Sequence, residues 1–96
     1  MTGTSSPEMS LARDLVVVNE LGLHARCAAI VAQRAQQAWG KVSLTKNGLV
    51  VDASSLLDIL SLACGKGGRI TLKVTDSRDI NILNEIAALI ESGFEE

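Results

Sequence analysis

Asn47-Gly48 sits between two short runs, Lys41-Val42-Ser43-Leu44-Thr45-Lys46 and Leu49-Val50-Val51-Asp52, and constrains the fold more than any other feature. Both residues tolerate positive φ, which a two-residue hairpin turn matched to the right-handed strand twist requires. Such a turn fixes two neighbouring antiparallel strands. The polar–apolar alternation of the first run gives that pair one dry face and one wet face. Other segments have to cover the dry one.

The flanking segments read as follows. Arg13 to Val18 is a β-branched run suited to a strand, broken by Asn19-Glu20-Leu21-Gly22-Leu23. Ala25 to Ala38 is rich in Ala and Gln and free of Pro and Gly, so its helix propensity is high. Ala28, Val31, Ala32, Ala35, Ala38 and Trp39 fall at three-and-four spacing and predict one buried stripe, with Gly40 as the stop. Ser54 or Ser55 caps a short helix running to about Ala63 and closed by Gly65. Arg69 to Thr75 alternates as a half-buried strand. Asp79 to Ser92 is a second long helix, capped by Asp76, Ser77 or Asp79, with Ile82, Ile86, Leu89 and Ile90 inward and Gly93 at its end. The order β-α-β-β-α-β-α predicts an α+β, two-layer open-faced sandwich: a four-stranded, mainly antiparallel sheet with three helices on one face.

At 96 residues the chain supports one domain and one core. Residues 1–10 (MTGTSSPEMS) are expected to be a mobile tail, with Met9 as an alternative start, and residues 11–96 the domain. A hydrophobic content of 47% excludes a wholly disordered chain. Aromatics are 2%, Trp39 and Phe94 alone, so the core is Leu, Ile, Val and Ala. Nothing is left for a base-stacking platform, and no nucleic-acid partner is expected. Nine basic against eleven acidic residues, net −2, give no general attraction to nucleic acid or anionic membrane. The longest aliphatic run, Leu15 to Val18, is far short of the ~20 residues a spanning helix needs. The first ten residues lack the basic start and apolar stretch of a secretory signal. Cys27 and Cys64 have neither metal-type spacing nor a CxxC motif and are expected as free thiols in a reducing, cytoplasmic compartment.

His24 is the single histidine and stands where a loop becomes the first helix. Free N–H groups and the positive end of the macrodipole make a helix start an anion site. An imidazole nitrogen is a nucleophile, and Arg26 offers a fork of donors suited to phosphate oxygens. Together they read as a phosphoryl site. The plainer reading is a solvated histidine beside an unrelated surface arginine. Gly65-Lys66-Gly67-Gly68 lacks the GxxxxGK[ST] spacing and follows a helix, so it is a turn. Leu56, Leu57, Ile59, Leu60 and Leu62 are too many apolar residues for one side of a short helix: either some are exposed to a partner, or the helix is sunk deeper.

Gly22-Leu23-His24-Ala25-Arg26, after a Val-rich strand, resembles the active-site signature of HPr, the histidine phosphocarrier family of the phosphoenolpyruvate:sugar phosphotransferase system. The run from Ser54 to Gly67 resembles the same family's regulatory serine, short helix and glycine-rich turn, and the likeness covers residues 11–93. It implies a carrier, not an enzyme, that accepts a phosphoryl group on Nδ1 of His24 from enzyme I and passes it to a IIA domain. Arg26 is then the charge partner, and Ser55 matches the serine that an HPr kinase modifies. Docking would use Ala25, Cys27, Leu56, Leu57 and Leu60. No metal or organic cofactor is implied, and nothing demands more than a monomer. The family usually has Pro where this chain has Cys27. Proline's missing donor costs nothing in a first helical turn, whereas cysteine keeps an N–H there. Cys27 reads as a small packing residue, the other reading being a thiol activated by the helix N-terminus; Cys64 reads as core or turn filler. Two further readings stand beside the transport one: a nitrogen-type or regulatory paralogue signalling to other proteins, and a ferredoxin-like ligand-binding or interaction module without phosphotransfer.

Overall fold

Asn47 and Gly48 both take left-handed backbone angles, φ 50° and 84°. They join strand β2 (Val42–Lys46) to β3 (Leu49–Asp52), the hairpin that the Asn-Gly pair predicts. The computed structural model describes residues 11–96; the expected tail and the alternative start at Met9 lie outside the described residues. The other elements are β1 (Ala12–Val16), α1 (Ala25–Ala35), α2 (Leu56–Ser61), β4 (Arg69–Val74) and α3 (Ile80–Glu91), with 3-10 turns at Ser77–Asp79 and Gly93–Glu95. The strands form one antiparallel sheet in the order β1-β4-β2-β3. Leu72 of β4 lies opposite Arg13 of β1 and Leu44 of β2, so β4 takes the place between the hairpin and the first strand.

Along β4, Ile70, Leu72 and Val74 are buried while Arg69 and Lys73 are exposed, the period-2 split expected of a sheet with one dry face. The three helices cover that face, α1 packing on both α2 and α3. Leu44, Leu72, Leu83, Ile86 and Ile90 are fully buried, each worth about 1.5–3 kcal/mol of apolar transfer. Cys64 is a buried free thiol, as a core filler should be.

Four local expectations change. Helix α1 ends at Ala35 rather than Ala38, so Trp39 leaves the helical period. Its ring is 71% exposed and lies over the Arg78 guanidinium at 4.3 Å, outside the buried stripe. Asp79 provides no side-chain cap to α3. Buried instead, its two carboxylate oxygens accept the backbone N–H groups of Trp39 (2.9 Å) and Gly40 (2.8 Å). The residue that leaves α2 in a left-handed conformation is Ala63 (φ 50°), not Gly65. In α3 the buried residues are Leu83, Ile86, Ala87 and Ile90, with Ile82 and Leu89 only half-buried. Both sets obey helical spacing; small Ala87 shifts the contact towards the 83–87–90 side.

Candidate functional site

The loop between β1 and α1 is pinned before it reaches His24. Val17 N–H donates to the Gly68 carbonyl at 2.9 Å, and Gly67 N–H donates back to Val17 at 2.7 Å. Leu23 N–H donates to the Cys64 carbonyl at 2.9 Å, and the side-chain amide of buried Asn19 donates to the Gly22 carbonyl at 2.7 Å. Gly22 itself has φ +68°, and a Cβ there would fall 2.4 Å from the Cys64 carbonyl oxygen. Only glycine meets both conditions without displacement.

This loop delivers His24 as the N-cap residue of α1, in extended conformation and with no side-chain cap hydrogen bond. The first helical bond runs from Ala28 N–H to the His24 carbonyl. Helix geometry therefore gives the N–H groups of Ala25, Arg26 and Cys27 no intrahelical acceptor. The ring is left free to make other contacts. His24 Nε2 lies 2.9 Å from Glu96 Oε2, and the Arg26 guanidinium contacts the same oxygen. Asn19 Nδ2 donates to Glu96 Oε1 at 3.2 Å. Hydrogen bonds from His24 first, then Arg26 and Asn19, hold the Glu96 carboxyl down at about 2, from an ordinary 4.5. An ionised carboxylate only accepts, so the His24 contact requires the proton on Nε2. In the neutral ring the lone pair is then on Nδ1.

Cys27 is fully buried, and its thiol turns into the site instead of outward to a docking surface. Sγ lies 3.3 Å from His24 Nε2 and 3.6 Å from Glu96 Oε2. Burial, followed by the Glu96 charge, pushes this thiol above its ordinary 9.0, which goes against the second reading of Cys27 as an activated thiol. Ala25 and Arg26 are exposed. Ser55 caps α2, its Oγ accepting the Asp58 N–H at 3.2 Å. Leu57 is 75% and Leu56 38% exposed, Leu60 is half-buried, and Ile59 and Leu62 are buried. The four apolar residues of α2 and its C-cap residue Leu62 thus split between core and surface.

Glu96 and Asn19 complete the site without having been legible as members of it. Asn19 precedes the turn that Gly22 ends, a weak signal for an anchoring amide. Glu96 carries no periodic or motif signal, because only the Gly93–Glu95 turn brings it to the α1 start.

A two-layer α+β domain that presents one histidine at a helix start, with an arginine across a shared anionic oxygen, defines a class of phosphoryl-carrying modules. The family model PTS-HPr, described as the PTS HPr component phosphorylation site, matches residues 11–92. The chain belongs to the HPr phosphocarrier family of the phosphotransferase system. It is 36% identical over 86 residues to the phosphocarrier protein HPr of Cupriavidus necator, covering 90% of this chain and 97% of that one. With the phosphocarrier protein HPr of Treponema pallidum it shares 32% identity over 83% of this chain and 91% of that one. Among solved structures, HPr-C-His from Thermoanaerobacter tengcongensis superposes with a TM-score of 0.83 at 29% identity, over 88% of this chain and 96% of that chain. Among the described residues no helix is long and apolar enough to cross a membrane.

Proposed function

We propose that this protein is a cytoplasmic phosphocarrier that accepts a phosphoryl group on Nδ1 of His24 from phosphohistidine on enzyme I and hands it to a IIA domain of a sugar permease. One observation carries the reading: a carboxylate oxygen, Glu96 Oε2, is seated between His24 and Arg26. A phosphoryl oxygen needs the same cationic neighbour, and the open N–H groups of the α1 start lie beside it. In the step itself the donor's N–P bond breaks as the Nδ1–P bond forms, and the donor ring recovers its lone pair. His24 keeps its proton on Nε2, and the positive charge its ring gains is offset by Glu96. Arg26 then exchanges Glu96 for a phosphoryl oxygen. Incubation with enzyme I and phosphoenolpyruvate should place one acid-labile phosphoryl group on the protein. Arg26→Ala should reach the same final labelling more slowly, by a factor on the order of a hundred at most, since it removes charge stabilisation and not the acceptor atom. No labelling of the unaltered protein would rule the function out.

Exposed Leu56 and Leu57, with Leu60 beneath, form the surface on which enzyme I and the IIA domain dock. Ser55 at the head of that helix is the regulatory position, open to an HPr kinase. A phosphate there meets a favourable helix dipole but confronts an incoming phosphohistidine with like charge, and Asp58 in the same turn adds to it. Ser55→Asp should therefore slow transfer from enzyme I while changing stability by less than about 0.5 kcal/mol, because Asp caps as well as Ser. Equal transfer rates at low ionic strength, where charge effects are largest, would exclude the switch.

A further inference from the structure

We propose that His24, Cys27 and Glu96 form a binding site for a zinc-class divalent cation, and that the metal-loaded form is closed to phosphoryl transfer. The first half stands on geometry alone; the second rests on the phosphocarrier reading above.

The three side chains offer one nitrogen, one sulfur and one oxygen, all within 4.8 Å of one another. Such a mixed set suits a borderline ion like Zn²⁺ better than the hard cations Mg²⁺ and Ca²⁺. Tetrahedral coordination, at ~2.0–2.2 Å for nitrogen and oxygen and ~2.3 Å for sulfur, sets ligand atoms roughly 3.3–3.6 Å apart. The observed separations are 3.3 Å (Nε2 to Sγ), 3.6 Å (Sγ to Oε2) and 2.9 Å (Nε2 to Oε2). Only the last must open, by about 0.4 Å, as a metal replaces the proton now shared between imidazole and carboxylate. His24 and Cys27 share one face of the first turn of α1, three residues apart, which fixes two ligands on rigid backbone.

Charge and outer contacts agree with this arrangement. On coordination the Cys27 thiol releases its proton to solvent as the metal–sulfur bond forms, with no change in oxidation state. A thiolate, a carboxylate and a neutral imidazole then balance a dication, which offsets the repulsion from the positive helix end. Arg26, its side chain 55% exposed, can turn to water when Glu96 takes the metal. Asn19 supplies the outer support, its Nδ2 facing Glu96 Oε1 at 3.2 Å and Cys27 Sγ at 3.7 Å. The side chains of His24 and Glu96 remain 27% and 24% exposed, which leaves a path from solvent and room for a water as fourth ligand. With the metal on Nε2, the proton that nitrogen gives up passes by way of solvent to Nδ1, and the Nδ1 lone pair is no longer free to form the N–P bond. Glu96, bound to the metal, is meanwhile lost as the carboxylate that would offset the charge of a phosphorylated ring. Metal and phosphoryl group are thus competitors for one histidine.

Cobalt(II) is a direct probe, because thiolate coordination produces a near-ultraviolet charge-transfer band and tetrahedral geometry produces strong visible bands. Titration of the purified protein should give both bands at one equivalent, and Cys64→Ser should give them unchanged. Cys27→Ser should lose the charge-transfer band, and Glu96→Gln, at a residue outside the core, should bind at least about tenfold more weakly. Absence of the band from the unaltered protein, its survival in Cys27→Ser, or full affinity in Glu96→Gln would overturn the site. Zinc should then lower the rate of phosphoryl uptake from enzyme I in the unaltered protein, while the ratio of rates with and without zinc stays near one for Cys27→Ser. Equal inhibition of both proteins would refute the closure. Failure of the metal-free protein to take up phosphoryl groups would instead strike the phosphocarrier reading and leave the cobalt spectra to decide the site.

Discussion

His24→Ala is expected to take up no phosphoryl group from phosphoenolpyruvate and enzyme I, while folding as the parent does. The loss should be complete because the substitution removes the only imidazole in the chain and with it the atom that forms the N–P bond. Folding should survive because the side chain caps nothing and remains partly exposed. The first helical hydrogen bond uses the His24 backbone carbonyl, which alanine keeps. Far-ultraviolet circular dichroism and the thermal midpoint check the fold, and acid-labile label checks the chemistry. Full labelling of the variant would move the acceptor to another residue and sink the assignment.

The sheet was legible because its period is short and its turn is chemically marked. Asn47-Gly48 announces a hairpin, and the alternation in β2 and β4 names the buried residues one by one. Helix boundaries were less so. Ala38 and Trp39 continue the helical period on paper, but the Trp39 and Gly40 N–H groups are claimed by Asp79, forty and thirty-nine residues away in sequence. Such a tertiary hydrogen bond leaves no local trace, and the chain leaves the helix to make it. The inward side of α3 was ambiguous for a related reason. Ile82 and Leu83 are equally apolar, and only packing against the sheet selects between them.

In the candidate site the contiguous part was readable and the remote part was not. Gly22 to Arg26 is a single stretch whose residue types suggest an anion at a helix start. Cys27 follows directly, yet the sequence suggested a docking or packing role, since nothing in it says that the thiol turns towards His24. Glu96 lies about seventy residues from His24, Arg26 and Cys27 and meets them through the left-handed turn that begins at Gly93. A carboxylate at such a distance is one of eleven acidic residues until the fold selects it.

Two glycines separate backbone strain from close approach, and the comparison gives the largest stability effect expected here. Gly48 and Gly22 both have positive φ, +84° and +68°, so alanine at either should cost about 1–2 kcal/mol in backbone conformation. Around Gly48 a Cβ meets nothing within 4 Å. Around Gly22 it would sit 2.4 Å from the Cys64 carbonyl oxygen and 2.6 Å from Gly65 Cα, and neither backbone atom can swing aside as a flexible side chain would. The overlap adds roughly another 1–3 kcal/mol, or else breaks the Leu23 N–H bond to Cys64 that holds the loop. In a domain of this size about 1 kcal/mol moves the thermal midpoint by about 4–8 °C. Gly48→Ala should thus lower the midpoint by about 4–16 °C and leave phosphoryl uptake intact, the hairpin being remote from His24. Gly22→Ala should lower it further, by about 8 °C at the least, and slow uptake as well, because the same loop sets where His24 enters α1. Equal midpoints for the two variants would mean that the loop yields freely, and that the contact between Gly22 and Cys64 does not position the histidine.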